Sequence, residues 1–153
     1  MADSDEIFLA LSEPLEVAAE TVARVLELEF NGDLRPETGE LQYRGRARTS
    51  DGVMGVYIGP NIFEPEPDEV QAMDGYAIVV DVQYRTHKAA QAAEARLAFD
   101  ALVGGLPDVP AILSHNMELL VTAYRPGSGV HTFPPGTSLD VDDLDAWRPW
   151  VAG

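Results

Sequence analysis

The sequence predicts an α+β fold: an antiparallel or mixed sheet of about five strands packed against two main helices. Three observations carry that expectation. Residues 76–84 read YAIVVDVQY. Tyr76, Ile78, Val80, Val82 and Tyr84 fall on one side of the alternation, all apolar or aromatic, and should face a core. Residues 87–103 form an alanine-rich run, and alanine favours helix intrinsically. Between residues 15 and 30, apolar side chains recur at Leu15, Ala18, Ala19, Val22, Val25, Leu26 and Phe30, the spacing of one helical face.

Taken in order, residues 1–5 are expected to be frayed. Residues 7–11, Ile-Phe-Leu-Ala-Leu, suit a first strand or a lead-in to the first helix. Ser12 is placed to cap that helix, with Glu13 and Pro14 in its first turn. Asn31 and Gly32 should end it, since both tolerate positive φ. Residues 33–39 read as loop. Residues 41–47 and 53–58 suit two strands joined at Ser50, Asp51 and Gly52 as a hairpin, with arginines at alternate positions on one face. Residues 59–71 hold three prolines among four acids and should be an ordered loop pinned by Ile62 and Phe63. The central strand follows. Thr86 is a suitable cap for the second helix, whose apolar positions are Ala90, Ala93, Leu97, Leu102 and Val103, with Phe99 and Ala101 nearby, and Gly104 and Gly105 should stop it.

Beyond Pro107 and Pro110, residues 111–114 and 118–124 look like strands on either side of His115 and Asn116. Residues 127–129 should turn. Asp140 can cap a short C-terminal helix that points Leu144 and Trp147 inward, and Trp147, Trp150 and Val151 should seal the body. The order is compatible with a split β-α-β core. No boundary divides the chain, so residues 1–153 are expected to form one domain.

Charge dominates the composition. Ten basic residues face twenty-six acidic ones, for a formal net charge of −16. Such a surface repels phosphate backbones and anionic lipid, so neither nucleic acid nor membrane is an expected partner. No apolar run approaches bilayer length, and the N-terminus lacks a basic region ahead of an apolar one, so a cytoplasmic location is expected. Cysteine is absent, which removes disulfides, thiolate nucleophiles and thiolate metal sites.

Specific chemistry is sparse. His87, His115 and His131 show no metal-ligand spacing, and Asp140, Asp142, Asp143 and Asp145 lack the glycine and terminal glutamate of a calcium loop. No nucleophile elbow, phosphate loop or dinucleotide fingerprint occurs. No catalytic residue, cofactor or metal is therefore expected. Asp81 interrupts the central strand on the side away from the core, and would need a partner if that side were covered; Arg44, Arg46 or Arg48 could provide one. The expected function is a non-enzymatic acidic protein-interaction domain, of the inhibitor or immunity type, that binds a basic protein. Its candidate interface is Glu64, Glu66, Asp68 and Glu69 together with Arg44, Arg46 and Arg48. One alternative is an assembly subunit that forms oligomers, such as a homodimer, through the arginine strand. A further alternative is a small enzyme whose pocket the sequence does not reveal.

Overall fold

In the computed structural model, which describes residues 4–35, 39–62, 69–84 and 87–152, the chain opens with β1 (Asp5–Leu9) and α1 (Leu15–Leu26). It continues through β2 (Glu29–Arg35), β3 (Glu40–Arg46), β4 (Val53–Pro60) and β5 (Ile78–Gln83). Then come α2 (Gln91–Gly105), β6 (Ala111–His115), β7 (Leu119–Arg125), β8 (Gly129–Thr132) and the short α3 (Leu144–Trp147). The strands form one eight-stranded sheet in the order β2-β3-β4-β5-β1-β6-β7-β8. Every neighbouring pair is antiparallel.

The expectation of about five strands is corrected to eight. The strands with no sequence signal are β2 and β8, which form the two edges. Their sequences, EFNGDLR and GVHT, are largely polar and lack alternation. β2 also shifts register between Phe30 and Gly32 and between Asp33 and Arg35, so no simple period of two survives in it. β1 lies between β5 and β6 and is antiparallel to both. β5 and β6 are therefore parallel to each other, joined through α2, which is a split β-α-β unit.

The first helix ends earlier than its apolar period suggests. Glu27 takes a left-handed φ of 56°, and the Leu28 N–H donates back to the Ala23 carbonyl at 2.8 Å. Phe30, Asn31 and Gly32 thus belong to β2, not to a helix end and loop. Pro14, not Ser12, holds the cap position, and no side chain caps the helix. Ala18, Ala19, Val22, Ala23 and Leu26 are buried, so the predicted stripe is otherwise kept.

α2 is rotated from its expected register. Its buried residues are Gln91, Glu94, Ala95, Ala98, Phe99 and Leu102, while Leu97 is 37% exposed. The alanines explain the ambiguity: they permit several faces, and polar contacts choose one. Gln91 Oε1 accepts the Tyr84 N–H at 3.0 Å, and Gln91 Nε2 donates to Asp5 Oδ2 at 2.8 Å. Glu94 accepts the N–H groups of Arg48 at 2.9 Å and Thr49 at 2.6 Å. The helix start is thereby fastened to β1, β5 and the turn after β3. Gly104 and Gly105 lie inside its last turn, and Thr86 lies outside the described residues. Asp5, expected to be frayed, is buried in β1.

Two hydrophobic layers result. On one side, α1 and α2 cover the sheet against Ile7, Leu9, Val56, Ile58, Ile78, Val80, Val82 and Leu113. Of the predicted inward set of the central strand, Ile78, Val80, Val82 and Tyr84 are buried in this layer, whereas Tyr76, which precedes β5, is buried in the cluster on the opposite side. On the other side, Ala72, Met73, Tyr76, Phe133, Leu139 and Trp147 pack with Phe8, Ile112, Leu120 and Ala123. Burying a side chain such as Val80 or Phe8 contributes roughly 1.5–3 kcal/mol. The two tryptophans and Val151 were expected to seal the body, and they pack on this second cluster. The Tyr76 hydroxyl accepts the Ala152 N–H at 2.9 Å and ties down the C-terminal segment. The Ser50-to-Gly52 hairpin forms as expected: β3 pairs with β4, and the Ala47 N–H donates to the Gly52 carbonyl at 2.8 Å.

Candidate functional site

The second layer spans only part of its face. Its buried cluster takes in no residue of β3 or β4. There the sheet presents Arg44 and Arg46 exposed, with Gln42 and Tyr57 half-buried. Strand register explains which side chains share this open face. Gln42 opposes Tyr57, Tyr57 opposes Asp81, Asp81 opposes Glu6, and Glu6 opposes Ser114. A row of polar side chains therefore crosses five strands. The next row toward the second layer runs Gly59, Val79, Phe8, Ile112 and is apolar apart from its glycine.

A cavity of about 260 Å³ opens where these rows meet. Ser4, Glu6, Glu40, Tyr57, Ile62, Val79, Asp81 and Met117 are among the residues that line it. Gly59 makes room for one wall: a Cβ there would come within 2.9 Å of Glu40 Cγ. Glu40 can therefore lie across β4 toward the cavity.

The two inner carboxyls are each half satisfied. Glu6 is only 3% exposed. Its Oε1 accepts from Ser114 Oγ at 2.9 Å and from the Met117 N–H at 3.0 Å. Asp81 Oδ2 accepts from Gln83 Nε2 at 3.1 Å. The other oxygens, Glu6 Oε2 and Asp81 Oδ1, are buried with no hydrogen-bond partner among the described residues. Burial pushes the Asp81 carboxyl up to about 6, with Glu6, Glu40 and Asp5 adding repulsion and Gln83 opposing it. Burial likewise raises Glu6, opposed by the nearby Ser4 hydroxyl and by the hydrogen bonds from Ser114 and Met117. Two like charges placed opposite each other on neighbouring strands repel.

No arginine answers Asp81 among the described residues. Arg44 stands opposite Gly55 and Glu29, and its guanidinium lies 3.6 Å from Glu29 in an exposed pair. Arg46 follows two residues later on the same open face, as alternation requires. Arg48 lies beyond the strand, exposed, with its backbone N–H held by Glu94. Of the acidic loop, Glu64, Glu66, Asp68 and the expected pin Phe63 lie outside the described residues. Ile62 is 62% exposed and lines the cavity instead of pinning the loop to the core. Glu69 lies with Gln71, Asp140 and Asp142 in a separate hollow whose described lining includes no arginine.

The histidines have different surroundings. His87 meets Tyr84 edge-on, His131 stacks on Trp150 at 4.4 Å, and His115 Nδ1 lies 2.8 Å from Asp5 Oδ1. Among the described residues, no three His, Asp or Glu side chains stand together as a metal-holding group. No described helix is long and apolar enough to cross a membrane. Glu6, Glu40 and Tyr57 were not singled out in the sequence. The one signal was that Glu6 alternates with Phe8, which places it on a partly buried second face. Compared with known proteins, the chain matches no family model, no curated protein and no solved structure.

Proposed function

We propose that the chain is a non-enzymatic acidic interaction domain that binds a basic protein partner through the open face of β3, β4 and β5. The observation that carries this reading is a net charge of −16 on a fold whose open face ends at Glu6 and Asp81, each with one buried carboxyl oxygen that has no hydrogen-bond partner among the described residues. A field of that sign steers a basic partner inward and accelerates its encounter. The face is also polarised. Arg44 and Arg46 occupy the end near the hairpin, and Glu6, Asp81 and Glu40 occupy the other, so a partner of complementary pattern would dock in one orientation. An inhibitor or immunity-type role fits that design.

The alternative of assembly through the arginine strand would have to use its exposed face, because β3 lies inside the sheet between β2 and β4, and the sheet edges themselves are poor templates. β2 is bulged and β8 has four residues, and both features discourage edge-to-edge pairing.

The test is capture on the immobilised chain at low salt, with elution by added salt. The wild type is expected to retain a protein with a basic surface. Glu40→Lys combined with Gln42→Lys should abolish its capture, while Leu97→Lys on the helix layer should not. Absence of any salt-sensitive partner, or equal capture by the open-face variant, would overturn the reading.

A further inference from the structure

The cavity at the acidic end of the open face has a composition that selects its occupant. Among the described residues, every ionisable group lining it is a carboxyl or a phenol: Glu6, Glu40, Asp81 and Tyr57. These groups disfavour an anion and favour a cation. Val79, Ile62 and Met117 supply apolar wall, which a hydrated metal ion would not use. At about 260 Å³ the space is slightly smaller than the range of roughly 300–1,000 Å³ common for drug-sized ligands, and suits something the size of one side chain.

The hydrogen bonding separates the two common organic cations. A guanidinium is a planar fork that prefers both oxygens of one carboxylate. Neither Glu6 nor Asp81 offers two, since Ser114 and Met117 hold one oxygen of Glu6 and Gln83 holds one of Asp81. What remains is one oxygen on each of two facing residues, Glu6 Oε2 and Asp81 Oδ1. A compact ammonium with three diverging donors matches acceptors on separate residues. Glu6 is 3% exposed, and a buried carboxylate oxygen without a donor is costly.

We propose that this cavity receives one primary alkylammonium group, the ammonium meeting Glu6 and Asp81 while its carbon arm lies along Val79, Ile62 and Met117. The group is a lysine side chain of the partner, and in that respect the proposal rests on the function proposed above. It does not need the partner to be in hand, because the chemistry can be probed with small molecules.

The experiment is an amide NMR titration at about pH 8, where Asp81 is ionised. The probes are N-acetyl-lysine methylamide, its Nε-acetylated counterpart, which has no charge, and free cadaverine. The lysine amide is expected to give saturable shifts at Glu6, Tyr57, Asp81 and Met117. The acetylated probe should give none. Glu6→Gln with Asp81→Asn should weaken binding at least about tenfold, and Asp81→Asn alone gives a second reading should the pair disturb folding. Three results would overturn the proposal. One is equal shifts from the neutral probe. Another is no saturable shift at all, as when the two carboxyls simply hold a proton between them. The third is cadaverine binding far more tightly than the lysine amide, which would make the ligand a free amine. If the double variant still captures the basic partner, the pocket assignment fails while the interaction reading stands; if no partner exists but the lysine amide binds, the reverse holds.

Discussion

At the residue scale, Asp81 joins an energetic consequence to the proposed binding role. Its carboxyl is raised from 3.8 to about 6, so protonation is favoured in the folded state relative to the unfolded chain. The stabilising contribution is present in full below the unfolded value and is lost as pH rises through about 6. Replacing Asp81 with Asn removes that loss. The variant should gain stability over the wild type as pH rises from about 4 to about 8, by an amount on the order of 2–3 kcal/mol at the upper limit. Urea unfolding at the two pH values measures it, and a difference that does not grow with pH would contradict the assignment. Glu94 shows the opposite outcome for a buried acid. Burial raises it, but the N–H groups of Arg48 and Thr49 outweigh burial and hold it below its ordinary value. Asp81 was visible in the sequence as an interruption. Its neighbours were not, because Glu6 lies seventy-five positions away and becomes adjacent only through the strand order.

At the scale of elements, strong alternation was readable and weak alternation was not. The central strand declared its faces from its own residues, and Ile78, Val80, Val82 and Tyr84 are buried beneath the helices as expected, while Tyr76, ahead of the strand, packs on the other side. The second helix was recognisable, but its face was not, because alanine permits several and Gln91 and Glu94 select one through partners on other strands. The difference has a mutational consequence. Val80 is fully buried, so Val80→Asp should unfold the protein by placing an unpaired charge in the core. Leu97 was expected inward, yet at 37% exposure Leu97→Asp should leave the melting temperature within a few degrees of wild type. Thermal melts of the two variants decide the register: comparable losses in both would restore the sequence-based face and refute the observed one.

For the whole molecule, the sequence was most informative about charge and least about layering. Residues 133–152 read as connector and terminal helix, and Trp147 and Trp150 as a seal. That they build a second layer over β1, β6 and β7 that takes in no residue of β3 or β4 depends on tertiary contacts with no local signature. This half-covered sheet concentrates part of a diffuse acidity: it brings Glu6, Asp81 and Glu40 to the border between an apolar layer and a polar face. The absence of cysteine permits a direct test, since single thiols can be introduced without competition. Gln42→Cys places a solvent-sensitive fluorophore on the open face, and Leu97→Cys places one on the helix layer. Titration with a lysine-rich peptide at low salt should produce a saturable change at position 42, reversed by added salt, with little response at position 97. An equal response at both positions, or a response confined to position 97, would contradict binding through the open face.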